Sequence, residues 1–176
     1  MATARSLYHH DYTVGWVCAL PLEMAVAKAM LDEIHPDLPT SLNDQNTYVL
    51  GRICAHNVVI ACLLSGVYGT TSAATVAIQM LSTFRSILMV GIGGGVPGQG
   101  ADIRPGDVVV SKPTGDSGGV VQYDLGKTVA QGVFERTGRL NRPPQILLTA
   151  IARLQVDGMM EASRIPEFLS EMIATS

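Results

Sequence analysis

The chain of 176 residues has no apolar run near the ~18 residues that a membrane-spanning helix needs, so nothing in it reads as a span. It has no run of basic residues and carries a net charge of −3, which argues against nucleic acid as a partner. Its three cysteines, Cys18, Cys54 and Cys62, are too few and odd in number for a disulfide framework. They lie in apolar, strand-like contexts and read as buried free thiols of a reducing compartment. The amino terminus lacks the apolar core of a signal segment, and the chain is therefore expected to be intracellular and cytoplasmic. Charged residues make up only 15% against 47% hydrophobic ones, which excludes a disordered chain and fits a core-rich enzyme-like domain. A domain of this length buries roughly 70% of its extended-chain surface, enough for a real core.

What the sequence does have is the run Ile87-Leu88-Met89-Val90-Gly91-Ile92-Gly93-Gly94-Gly95-Val96-Pro97-Gly98. A β-branched strand empties into glycines whose bare backbone can line a cavity. Loops at the carboxyl ends of strands in open α/β sheets are where ligands bind. Gly93-x-Gly95-x-x-Gly98 matches a dinucleotide fingerprint literally, but that motif needs a helix to open next, and Pro97 and Arg104-Pro105-Gly106 give loop instead. Gly126-Lys127-Thr128 resembles the end of a phosphate-binding loop, yet Val121 stands where its first glycine belongs. A tight strand exit and a nucleoside cradle remain.

Around this run, strands and helices interleave, which predicts an α/β fold with a mostly buried mixed sheet. Tyr12–Leu20 reads as a central strand, followed by a helix from Pro21, placed as a first-turn proline, to Leu31. Residues 46–54 and 58–64 read as a hairpin turning at Ala55-His56-Asn57, Thr70 to Phe84 as a helix capped by Thr70-Thr71, and Ile87–Ile92 as a strand. Asp107–Ser111 and Val120–Asp124 are further strand candidates, and 145–155 and 167–174 helices. Trp16 reads as core, His35 and His56 as surface residues in turns. His9-His10-Asp11 would suggest a metal, but adjacent histidines project in different directions, so a free tail over residues 1–11 and no metal are expected, with one domain over 12–176. Asp116 and Asp124 read as turn residues.

Four segments in register over residues 12–126 resemble the nucleoside phosphorylase/nucleosidase superfamily. They are Val14–Glu23, Ser65–Ala74, Val90–Pro97 and Ile103–Ser111. Within them, the stretches Gly66–Ala74 and Gly91–Pro97 are similar to phosphorylase-like domains of fungal multidomain proteins, which often carry signalling or repeat modules. The resemblance implies a three-layer α/β/α sandwich with a central mixed sheet. It also implies cleavage of the N-glycosidic bond of a purine nucleoside or nucleotide, with no metal and no redox cofactor. The cationic, ribosyl-like transition state of that reaction needs an anionic wall and a positioned nucleophile.

Glu23 falls where nucleosidases carry the carboxylate that positions and deprotonates water. Met89 lies where bacterial phosphorylases carry a phosphate-binding arginine, and Ile92 where they carry a serine. Losing both groups removes most of a phosphate site, so water is favoured over phosphate as nucleophile, with phosphate kept as the competing co-substrate. The resemblance implies that Gly66, Tyr68, Gly69, Thr70, Ile92, Gly93, Gly94 and Gly95 line the sugar and its 5′ substituent. The family's later Met-Glu pair and base-protonating Asp have no counterpart here. The chain is thus expected to hold the first half to two-thirds of a catalytic domain. The competing expectation is a ligand-sensing or oligomerising module without the chemistry. Partners are expected to be a small nucleoside or nucleotide and a second copy of the chain, not nucleic acid or a membrane, since an unpaired sheet edge recruits partners.

Overall fold

A computed structural model describes residues 7–81, 86–98, 102–161 and 163–174. The chain divides into two compact units, residues up to Gly94 together with those from Met172 on, and Gly95–Glu171.

The first unit is built on a five-stranded mixed sheet in the order β2-β3-β4-β1-β5. Its strands are β1 (Val14–Cys18), β2 (Glu33–Ile34), β3 (Tyr48–Ile53), β4 (His56–Cys62) and β5 (Ser86–Met89). β1 lies parallel to β4 on one side and to β5 on the other, while β3 runs antiparallel to β4 and β2 to β3. Side chains of a strand alternate between the two faces of its sheet. Val58, Ile60 and Cys18 therefore share one face, where they pack under Ala27 and Met24 of helix α1 (Pro21–Ala29). Val17, Val59 and Ala61 share the other, under Val76, Met80 and Ala73 of α2 (Thr70–Leu81). The result is a three-layer α/β/α arrangement. Gly15 keeps α2 close, since a Cβ there would come to 3.0 Å from Cε of Met80.

Several expectations need correction. β1 begins at Val14, because Tyr12 lies in the connection after a single 3₁₀ turn, His9–Asp11. That turn is fixed: the Tyr8 N–H donates to Oδ2 of Asp11 at 2.8 Å, and Nε2 of His9 lies 2.8 Å from the Pro39 carbonyl. His9-His10-Asp11 is thus not a free tail. His35 is buried rather than superficial, with its Nδ1 2.9 Å from the Tyr12 hydroxyl. The hairpin turns one residue early, at Cys54-Ala55, since Ile53 already pairs with His56. Cys54 adopts a left-handed φ of 51° there and is exposed, so only Cys18 is fully buried and Cys62 half-buried. Thr70 is the first helical residue of α2 and not its cap; the Gly69 carbonyl accepts the Ala73 N–H at 3.1 Å. Residues 82–85, the end of the expected helix, lie outside the described residues.

The second unit holds a small hairpin, β6 (Gly126–Thr128) with β7 (Phe134–Arg136), and helix α3 (Gln145–Met160), longer than the sequence suggests. Helix α4 (Ile165–Ala174) lies near the end of the described chain. Neither Asp107–Ser111 nor Val120–Asp124 is a strand. Both have the composition, but no neighbouring strand supplies a ladder among the described residues, and strand preference expresses packing against neighbours. Arg104-Pro105-Gly106-Asp107 is a tight turn instead, closed by the Asp107 N–H on the Arg104 carbonyl at 3.0 Å, with Gly106 at a φ of 96°.

Candidate functional site

The three parallel strands β4, β1 and β5 release their chains at one end of the sheet. Leu20, in extended conformation, precedes Pro21 at the first helical position, where its missing N–H costs nothing. Glu23 then sits in the first turn of α1, where an acidic side chain can turn back to satisfy backbone donors before the helix. It does so with Oε2, which accepts the N–H of Ala19 at 2.8 Å and of Leu20 at 3.0 Å.

Its second oxygen reaches across to the exit of β5. Oε1 accepts the Ile92 N–H at 2.7 Å. Gly91 makes this approach possible, because a Cβ at that position would lie 2.5 Å from Oε1. The carboxylate is thereby a clamp between the chain leaving β1 and the chain leaving β5, and Glu23 is only 8% exposed. The Ile92 N–H holds its carboxyl below the usual glutamate range; burial opposes this, and the Leu20 and Ala19 N–H groups add to it. The group is a fixed anion at neutral pH. A carboxylate offers about four lone pairs, so three N–H bonds leave Oε1 one further acceptor site.

The structure therefore brings Glu23 and the backbone of Ile92 together. The Ile92 side chain is 75% exposed, and Met89, at the position where the resemblance puts an arginine in bacterial phosphorylases, is uncharged. Gly93 and Gly94 have nothing within 4 Å of a would-be Cβ, so this stretch of backbone is open. Gly66 and Gly69 adopt φ values of 80° and 100°, in the loop after β4 that leads to Thr70, and Tyr68 between them is exposed. Gly95 belongs to the second unit, where a Cβ would meet Cγ2 of Ile103 at 2.7 Å; its bareness serves local packing there. Trp16 packs in the core on the α1 side. Among the described residues, no group of three or more His, Cys, Asp or Glu is placed to hold a metal ion, and no helix is long and apolar enough to cross a membrane.

Sequence reasoning missed the job of Gly91 and of the Ala19, Leu20 and Ile92 N–H groups. The spacing Leu20-Pro21-x-Glu23 carried a signal for the first half, as one side of a capping box. No sequence pattern announces a bond between residues 23 and 92.

A mixed α/β/α sheet with glycine-rich loops at the ends of its parallel strands, and a buried carboxylate joining two of the exits, defines an α/β domain of open-sheet type. The family model described as "Phosphorylase superfamily" matches residues 13–155, and the chain belongs to that superfamily. It is 49% identical over 173 residues to a "Nucleotide-binding leucine-rich repeat (NLR)-like protein" of Hyaloscypha variabilis. That alignment covers 96% of this chain but 17% of the relative's length. No solved structure matches the chain.

Proposed function

We propose that the chain is a glycosidic-bond-cleaving domain in which water attacks C1′ of a purine nucleoside or nucleotide, Glu23 orients that water, and the free base departs. The observation that carries this reading is the buried, ionised Glu23 carboxylate with one acceptor site left on Oε1. Its anionic charge favours the cationic sugar of the transition state, and its fixed orientation removes the need to reorganise. A depressed carboxyl is a weak base, so its role is to hold water and charge more than to take a proton early. Uncharged Met89 and Ile92 support water over phosphate. Gly66, Tyr68, Gly69, Thr70, Gly93 and Gly94 supply the backbone around the sugar. No metal or redox cofactor enters this scheme.

A second reading is a ligand-sensing or oligomerising module. It is favoured by the three N–H bonds that give Glu23 a complete structural reason to exist, and by a relative whose printed name is that of an NLR-like protein. The discriminating experiment is chromatography of free base after incubation with adenosine, inosine, methylthioadenosine, AMP and ATP, with and without phosphate. Release without phosphate, lost in a folded Glu23→Gln variant, supports hydrolysis. Release only with phosphate replaces water by phosphorolysis. No release from a folded protein selects the sensing module. Self-association of an intracellular domain accompanies both readings, and a monomer by light scattering at micromolar concentration would contradict it.

A further inference from the structure

Cys18 is the last residue of β1 and Cys62 the last residue of β4, and the two are direct register partners in a parallel pair. Directly paired residues of neighbouring strands point to the same face, and here both belong to the apolar cluster beneath α1. Neighbouring strands lie about 4.8 Å apart. That spacing falls inside the Cα separations a disulfide tolerates, but side chains that point in parallel from the two strands must draw their Cβ atoms together to about 4 Å, so the bond would form under some strain. Both cysteines are free, Cys18 buried and Cys62 half-buried. The third thiol, Cys54, is exposed on the hairpin turn at the other end of β4.

We propose that Cys18 and Cys62 are a peroxide-oxidisable dithiol that closes to a reversible cross-strand disulfide. Cys62, the more accessible thiol, is the entry point. Its sulfur attacks one oxygen of hydrogen peroxide, the O–O bond breaks, and Cys62 becomes a sulfenic acid with loss of one water. The Cys18 sulfur then attacks the Cys62 sulfur; the S–S bond forms, the S–O bond breaks, and a second water leaves with the thiol proton. Two thiols have lost two electrons, and one peroxide has become two waters.

The surroundings set the pace. Burial pushes the Cys18 thiol up to about 11, with the neighbouring Cys62 and Glu23 charges adding to it, and burial raises Cys62 as well. The thiolate is the attacking species, so closure is slow at neutral pH and speeds as pH rises. The group that favours a Cys18 thiolate is the Trp16 indole, two residues back along β1. Its buried Nε1–H forms no other hydrogen bond and is free to turn to that sulfur. A strained bond is the readily reduced kind, which fits a reversible switch more than a permanent staple. Cys18 lies just before Ala19 and Leu20, two of the three donors to Glu23, so closure acts on the strand end that carries one side of the clamp. The disulfide itself does not depend on the reaction proposed above.

The test is hydrogen peroxide treatment of the folded Cys54→Ser chain, followed by alkylation under denaturing conditions, trypsin digestion and mass spectrometry without reductant. The expected result is a linked pair of the peptides that carry Cys18 and Cys62, two hydrogens lighter than their sum and separated by dithiothreitol. In the wild-type chain, Cys18 and Cys62 should lose their alkylation together, whatever the exposed Cys54 does. A Cys18→Ala variant should instead accumulate a dimedone-reactive sulfenic acid on Cys62. Cys62 advancing to sulfinic acid while Cys18 stays fully alkylated would overturn the proposal. So would loss of Cys62 alkylation without an equal loss of Cys18 alkylation in the wild-type chain, a count that holds whether or not either variant folds.

Discussion

Val58–Cys62 and Asp107–Ser111 each carry three consecutive β-branched residues, and they end in opposite structural states. The first is the core of β4, bonded to β3 on one side and β1 on the other, with Val59, Ile60 and Ala61 fully buried. The second forms no strand, and Val108, Val109 and Val110 are 68%, 70% and 49% exposed. The β-branched run does not separate them. What separates them is the presence of partners: β4 follows β3 through a two-residue turn and receives β1 in parallel register, whereas 107–111 follows a tight proline-glycine turn and meets no ladder among the described residues. A strand is a pairing event, and its side-chain preference is the preference of a half-buried, paired surface.

The largest break should come at Gly91. In a Gly91→Val variant the new side chain occupies the space of the Glu23 carboxylate, which must leave its three N–H donors. Overpacking and unsatisfied backbone donors together should cost about 3 kcal/mol, measured by urea unfolding. A loss under about 1 kcal/mol, the scale of one ordinary hydrogen bond, would mean that the clamp does not hold the ends of β1 and β5 together.

Next in size is Glu23→Gln. The amide keeps one acceptor and turns a donor toward backbone N–H groups, so one side of the clamp becomes repulsive. A loss of about 2 kcal/mol at pH 7 is expected from bonds to a charged acceptor. The pH dependence has a fixed sign. The folded-state carboxyl binds a proton less readily than the unfolded one, so its contribution is full above the ordinary glutamate range and is lost as pH falls through the lower folded value. The wild-type advantage over Glu23→Gln should shrink on acidification. An advantage that grows toward acid would show that the carboxyl is not depressed.

How much of this was legible in the sequence follows the same division. The central strands, both sheet-covering helices and Pro21 at its helix start could be read, because a continuous apolar strand and a helical period state which surface is buried. The two-residue strand Glu33–Ile34 could not, since it has no period to show and exists through its pairing with Gly51 and Arg52. Glu23 was legible as a position through family resemblance, but its bond to Ile92 spans 69 residues and belongs to the fold alone. His35 looked like a turn residue; its burial against Tyr12 is set by where the connection after β2 lands. The second unit was hardest, because its valines promised strands that need neighbours and its hairpin uses Gly-Lys-Thr and Phe-Glu-Arg, which show no apolar alternation.

The smallest effects test the opening comparison directly. Val59→Ala removes two methyl groups from a fully buried site between α2 and the sheet, and lost transfer energy plus the residual cavity should cost about 1.5 kcal/mol. Val109→Ala removes the same two methyl groups from a side chain that is 70% exposed and should change stability by less than about 0.5 kcal/mol. The chemistry of the two substitutions is identical, so their difference in urea midpoint isolates burial from residue type. If Val109→Ala cost as much as Val59→Ala, the valines of 107–111 would be packed in solution, and pairing would have to be sought for that segment too. Equal and small effects would instead mean that the β4 core collapses around a lost side chain. Only a large loss at Val59 beside a negligible one at Val109 agrees with a core confined to the sheet and its two helices.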